Sequence, residues 1–408
     1  MSAHPSIATH PQTPITAYNN LRERPSTIFK PKQKRLIKFM EPIAQTYLIP
    51  PSITFSMSLP LHFTQTIYNP TSSPQKIFLT ADIGGTNTTF GIFEPTPTGL
   101  ELLLTLHLAS NTITNFPHII KSVQQHLQEK YNAPIIHACF AIAGPINENK
   151  TTSQLTNLPW NIDTLAIESL THIKPLLLND FEAIGYGIDA LPPKDILLIK
   201  DSQPLPKHPC AILGAGTDLG KSMLIWNNQK QHYFPLASEG GHATLAIEQP
   251  DEFLLLQSLQ THYQNSQVTW GDVLSGRGIH ALYLSLNTHY PASDIRTTIT
   301  NSPNPPAQIT KHHLTDPQCT HTLQLFTRFY ARAARTLALD SLAFGGIYIA
   351  GGIAAKHPEI FTRYNFTQEF HNSKKMSHLL KQIPLYLITN YHVGLYGAAR
   401  YILIEKMK

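Results

Sequence analysis

An acid at the end of an apolar run opens the chemistry of this chain. The stretch "PLLLND", residues 175–180, predicts a short buried strand that feeds directly into the helical pattern "FEAIGYGI", and the carboxyl ends of such strands are where α/β sheets gather ligands. Asp180 in that position suits a general base that takes the proton of an alcohol as the alcohol attacks phosphorus. Asn179 beside it reads two ways. It is a ligand-holding amide, or it is a helix N-cap whose capping box Glu182 completes three residues on.

Two glycine corners accompany this acid. In "ADIGGTNTTF" the pair Gly84-Gly85 breaks two apolar runs, with Asp82 before it and Thr86 and Asn87 after. One reading is a tight turn. The other is a phosphate cradle, in which bare backbone N–H groups meet phosphate oxygens and Asp82 faces a hydrated Mg²⁺. The second corner, "LGAGTDLGKSM" at 213–223, fails two familiar tests. Gly214 lies one residue too far from Gly220-Lys221-Ser222 for a P-loop, and Gly214, Gly216 and Gly220 are spaced G-x-G-x-x-x-G, one residue too long for a dinucleotide fingerprint. Both motifs also open a helix, whereas "SMLIW" alternates as a strand does. This corner is therefore a second strand-flanked phosphate hairpin, or a turn only.

Further on, "SEGGH" places Glu239 and His242 around two glycines without a third metal ligand. A carboxylate beside an imidazole suits vicinal hydroxyls, which both donate and accept. "WGDVLSGRGIHALY" reads as a turn followed by a helix. "IYIAGGIAAK" ends a strand on Gly351-Gly352, where small residues admit a flat base, although a plain strand exit accounts for it as well.

These residues need elements to hold them. Strands are predicted at 76–82, 88–94, 101–107 and 135–144, with a helix at 116–130. The order strand, glycine corner, strand returns after Pro206 with "CAILGAG" and "KSMLIW". Helices follow at 250–263, 276–286 and 319–343, then a strand at 383–389 and a helix at 393–405. Two α/β lobes, each opened by a glycine-cornered hairpin, is the predicted architecture: a small lobe of 76–190 plus 390–408, and a large lobe of 191–389.

At 408 residues the chain is long enough for two cores, and 42% hydrophobic with 14% charged residues is ordinary for a globular protein. The formal charge of +5 resides in residues 1–75, where seven Lys/Arg face only Glu23 and Glu41. The near-neutral remainder gives no basic face for nucleic acid or membrane. Residues 1–75, proline-rich and aperiodic, are expected to be a disordered basic extension, with Met57 an alternative start. Cys139, Cys210 and Cys319 form neither a metal spacing nor a disulfide framework, and no run reaches the length of a membrane helix. A cytoplasmic setting is the expectation.

In this order the motifs resemble the bacterial-type glucokinases, sugar kinases of the actin-like ATPase and hexokinase superfamily. The resemblance covers residues 76–408. "ADIGGTNTTFGIF" is similar to the family's first phosphate motif, "AGPI" with "LTNLPWNID" to its sugar-side loop, "LLLNDFEAIGYG" to its catalytic segment and "GAGTDLG" to its second phosphate motif. "SEGGH", "VLSGRGI" and "IAGGI" follow in family order. The resemblance implies two ribonuclease-H-like lobes around a cleft and the ATP-dependent conversion of glucose to glucose 6-phosphate, the first step of glycolysis. It implies Asp180 as base, with Asn179, Glu239 and His242 on sugar hydroxyls and Asn157 a further contact. Ala81, Asp82, Ile83, Gly84, Gly85, Thr86 and Asn87 would embrace the ATP phosphates with Gly214, Gly216 and Thr217. Mg²⁺ would bridge the phosphates, held through water by Asp82. Gly351 and Gly352 would border adenine, and the assembly would be a homodimer.

Three positions depart from the pattern. Gly271 stands where the family usually carries a sugar-binding Glu, so Asp272 substitutes from one position along or affinity is lower. Asp218 replaces a common glycine, and Thr88 a frequent basic residue. A kinase for another hexose and a weakly catalytic sugar sensor remain as alternatives.

Overall fold

The computed structural model describes residues 63–69, 72–97, 99–155 and 158–406. The expectation for residues 1–62, and the Asn157 contact, lie outside these residues.

The first sheet is built from β1 (Thr64–Ile67), β2 (Ile77–Ile83), β3 (Asn87–Thr96), β4 (Gly99–Ala109), β5 (Ile135–Ile142) and β8 (Leu176–Asn179), in the order β1-β4-β3-β2-β5-β8. Crossovers run through α1 (Phe116–Tyr131) and α2 (Thr164–Thr171), and β6 (Thr152–Gln154) pairs with β7 (Asn161–Asp163) as a separate ribbon. Residues Ile77, Leu79, Ala81 and Ile83 of β2 enter one core, while Phe78 enters a second core on the other face. A strand covered on both sides needs the continuous apolar run seen in its sequence. Helix α1 starts where Asn115 accepts a hydrogen bond from His118 N at 3.3 Å and Pro117 occupies the first turn, and it ends on Asn132 at φ 51°.

The chain then enters a second sheet of β9 (Ile196–Lys200), β10 (Cys210–Ala215), β11 (Leu219–Asn227), β12 (His232–Ser238), β13 (Gly346–Ala350) and β14 (Leu385–Ile388), ordered β12-β11-β10-β13-β14-β9. Between β12 and β13 come α4 (Asp251–Tyr263), α5 (Trp270–Val273), α6 (Gly276–Ser285), α7 (Asp294–Thr300), α8 (Pro305–His312) and the 25-residue α9 (Pro317–Ser341). Helices α10 (Gly351–Lys356), α11 (Glu359–Arg363), α12 (Phe366–Phe370) and α13 (Ser377–Leu380) precede β14. Buried Arg332 of α9 ties this lobe together, pairing with Glu252 and Glu369 at 2.7 Å each.

Five strands repeat one topology. In both sheets a three-stranded antiparallel meander, β2-β3-β4 or β10-β11-β12, is extended by two strands parallel to its first member, β5-β8 or β13-β14. Each sheet adds one antiparallel edge strand, β1 or β9.

Helices α3 (Asp180–Gly187) and α14 (Val393–Lys406) join the two sheets. Their close crossing explains three glycines. A Cβ on Gly397 would overlap the Ala183 carbonyl, one on Gly187 the Val393 carbonyl, and one on Gly185 would sit 2.7 Å from Pro235 of β12.

Two findings correct the expected organisation. Residues 64–67 lie within the stretch expected to be disordered, yet pair with β4 as an edge strand, and Tyr68 Oη lies 2.9 Å from His392 Nε2. The signal is weak because all four strand residues are exposed and carry no apolar alternation. The second sheet also begins before Pro206, at β9. Pro192, Pro193 and Asp195 precede its "ILLIK" and Asp201, Ser202 and Pro204 follow, so the turn signals are present; the lack of apolar alternation in a five-residue run is what hides the strand.

Candidate active site

Asp180 occupies the first position of α3, directly after β8. Both readings of Asn179 turn out to be compatible. Its Oδ1 accepts from Phe181 N at 2.9 Å and Glu182 N at 3.3 Å, and Asn179 N donates in turn to Glu182 Oε2 at 3.4 Å. The capping box uses the amide oxygen only, which leaves the two Nδ2 hydrogens for an oxygen-rich ligand.

Phe181, which sequence reasoning passed over, seats the acid. Gly214 and Gly220 are cross-strand partners on β10 and β11. A Cβ on Gly220 would overlap the Phe181 ring, and one on Gly214 would stand 3.1 Å from both that ring and the Ala350 carbonyl carbon. Two bare positions side by side thus form the platform on which the segment after Asp180 rests. The platform accounts for Gly214 and Gly220, the outer glycines of the G-x-G-x-x-x-G spacing.

Asp82 lies on the face of β2 opposite Ala81 and Ile83, whose side chains are core. The Gly84-Gly85 corner has no positive φ, and a Cβ on Gly85 would meet nothing within 4 Å. Local geometry does not demand glycine here; the bare positions leave open space. Gly84 N donates to Asn87 O at 3.0 Å. Ser110 holds the carbonyl side of the corner: its Oγ donates to Gly84 O at 2.6 Å and its N to Thr86 O at 2.9 Å. Buried Thr88 approaches Ser110 Oγ at 2.9 Å, which explains the departure at that position. Among the described residues, Gly85 N and Thr86 N have no protein acceptor and are available to an anion.

In the second corner a Cβ on Gly216 would likewise meet nothing within 4 Å, and Gly216 N donates to Asp218 O at 2.9 Å. Thr217 tops the turn. Gly351 differs: it has φ +90°, and its Cβ would fall 2.6 Å from Ala215 O, so backbone geometry alone requires glycine. Gly352 faces Tyr391, whose ring would be 3.2 Å from a Cβ there. Tyr391 was also invisible in sequence; its hydroxyl is pushed above its ordinary range by burial and by Asp82. Gly394, in the first turn of α14, packs against the Asp82 carboxylate.

Glu239 and His242 share one turn, with Glu239 Oε2 3.7 Å from His242 Nε2 and both side chains exposed. The glycines between them are packing glycines: a Cβ on Gly241 would overlap Leu219 O, and one on Gly240 would lie 3.1 Å from Lys221 Cδ. The loop is fastened by Leu245 N donating to Val268 O (2.9 Å) and Trp270 N to Ala243 O (3.0 Å). Asp272 is committed to the protein. Its Oδ2 accepts from Thr269 N (2.9 Å) and Thr269 Oγ1 (2.8 Å), and its Oδ1 faces Arg277 at 3.4 Å.

The electrostatics bring three acids to one place. Burial pushes Asp180 up to about 7, with the Asp82 and Glu239 charges adding to the rise against backbone hydrogen bonds that oppose it. Burial alone pushes Asp82 to about 6. A half-buried acid poised near neutrality suits proton acceptance. Two such carboxylates facing one space supply the oxygen donors that a divalent cation takes, while the open backbone amides nearby suit the phosphate it would accompany.

The glucokinase family model matches residues 79–404. A glucokinase of Nostoc punctiforme is 38% identical over 340 residues, covering 79% of this chain and 98% of that one; one of Synechocystis is 36% identical over 347 residues, 79% and 96%. Among solved structures, a glucokinase from an Antarctic psychrotroph is 27% identical with a TM-score of 0.66, covering 80% of this chain and 98% of the other. The chain belongs to the glucokinase family.

Proposed function

We propose that this chain transfers the γ-phosphoryl group of ATP to the 6-hydroxyl of glucose, with Asp180 as the general base. The observation that carries the reading is the position of Asp180 at the end of β8, coupled to Asp82 and seated through Phe181 on the second glycine corner. As the sugar oxygen bonds to phosphorus, its proton passes to the Asp180 carboxylate and the bond from phosphorus to the ADP oxygen breaks. Asn179 Nδ2, Glu239 and His242 orient hydroxyls, while the open amides of Gly85, Thr86 and Thr217 receive phosphate oxygens. Mg²⁺, when bound, offsets phosphate charge, and Asp82 is the residue that would hold it through water.

Residues 76–190 with 390–408, and 191–389, act in this proposal as two bodies that close on the sugar and exclude water. A cytoplasmic homodimer is part of the same reading, and it rests on the family resemblance. Among the described residues no helix is long and apolar enough to cross a membrane. A spectrophotometric assay of the purified protein with ATP, Mg²⁺ and a panel of sugars tests the reading. Turnover is expected with glucose; another hexose preferred over glucose overturns the substrate assignment, and heat of glucose binding without ADP release identifies a sensor. Gly271 is the observation that favours testing other hexoses.

A further inference from the structure

Three residues of the large lobe that are unusual one by one form a single unit. Asp218 places a carboxylate beside the second glycine corner, where phosphate charge is to be held. A Cβ on Gly271 would overlap Asp218 Oδ1, so that carboxylate occupies the space a side chain at 271 would need. Asp218 Oδ1 also accepts from Leu219 N at 2.8 Å, and Oδ2 accepts from Arg277 Nη2 at 2.8 Å. Arg277 does more than neutralise it: Nη1 donates to the Thr217 carbonyl at 3.1 Å, and the neighbouring Gly276 N donates to the Gly216 carbonyl at 3.0 Å. Asp272 steadies the guanidinium from the other side.

The geometry points to Arg277 as a positioning residue for ATP: with Asp218 it clamps the carbonyls of the Gly216–Thr217 turn toward α6, so that the Thr217 amide, which has no protein acceptor among the described residues, is left for the phosphates. Gly271 is bare to admit the clamp. Asp218 is tolerated next to phosphate because the guanidinium cancels its charge. Glycine at 271 and aspartate at 218 are therefore one coupled exchange. The inference rests on the assignment of this turn to ATP phosphates.

The test is steady-state kinetics on Arg277→Ala, Arg277→Lys, Asp218→Asn and the double variant Arg277→Ala/Asp218→Asn. Arg277→Ala removes the clamp, leaves a carboxylate uncompensated beside phosphate and raises KM for ATP about twofold to fivefold, a range set by the half-exposed pair, with KM for glucose unmoved. Arg277→Lys, which keeps the charge and loses the fork, gives an intermediate value. The double variant removes the uncompensated charge but still lacks the clamp, so its KM for ATP falls below that of Arg277→Ala and stays above the native value. Overturning results are an unchanged KM for ATP in Arg277→Ala, or a double variant fully restored to the native KM, which would leave charge as the whole effect. Amide exchange of the native protein with a non-hydrolysable ATP analogue separates this inference from its premise: protection at residues 214–219 is expected. Absence of protection removes the phosphate assignment, and the clamp with it; protection combined with unaffected Arg277→Ala kinetics removes the clamp alone.

Discussion

The Thr88 hydroxyl lies 2.9 Å from Ser110 Oγ, and Ser110 Oγ in turn donates to the Gly84 carbonyl at 2.6 Å. The relay turns the carbonyl edge of the first glycine corner inward and leaves its amide edge outward. Removing the middle member strands a carbonyl acceptor, a loss of about 1–3 kcal/mol where the group is buried. Ser110→Ala is expected to raise KM for ATP severalfold while KM for glucose changes little, measured by steady-state kinetics with each substrate varied in turn.

Gly220 is the narrowest point of the platform under Phe181. Gly220→Ala places a methyl group inside the ring's present position and forces α3 to shift. Displacement of a catalytic group by about 1 Å costs on the order of 10²-fold. The expected result is a fall of that size in kcat, with the protein still folded by circular dichroism.

Asp180 and Asp82 are raised to about 7 and about 6 from the ordinary 3.8. The base must be ionised, so kcat/KM is expected to rise with pH through about 7 and then level. Their effect on stability has the opposite direction. Between pH 4 and 7 the folded state retains protons that the unfolded state has released, so both groups make folding less favourable as pH rises. Asp180→Asn is expected to raise the apparent melting temperature at pH 8 by about 2 °C or more and to leave it nearly unchanged at pH 4, as read by differential scanning fluorimetry.

Strand β1 covers the outer edge of β4. A chain beginning at Lys76 exposes unpaired backbone along that edge and loses the Tyr68–His392 contact, whereas one beginning at Pro60 keeps both. The shorter chain is expected to melt earlier and to aggregate sooner, compared by thermal scattering of the two variants.

Much of this was legible because the buried strands and amphipathic helices announce themselves by period. The strands around both corners, α1, α9 and α14 lie within about two residues of their sequence expectation. The edge strands β1, β9 and β12 were not legible, since half-exposed strands carry little apolar alternation. At the candidate site, residue types singled out Asp180, Asp82 and the corners. They did not identify Ser110, Phe181, Tyr391 or Arg277, which act by reaching across elements distant in sequence. Nor did they separate glycines that leave space open, Gly85 and Gly216, from those that admit a neighbour, Gly214, Gly220 and Gly240. Only the packing distinguishes the two kinds.

The central claim is that Asp180 accepts the sugar proton. Asp180→Asn keeps the shape of the side chain and removes its basicity, and a positioned base contributes typically 10²–10⁴-fold. Glucose binding by calorimetry, run beside coupled ADP release on the same preparation, tests the claim most directly. The account predicts native-like glucose affinity with kcat reduced by about that factor; undiminished turnover in Asp180→Asn contradicts it.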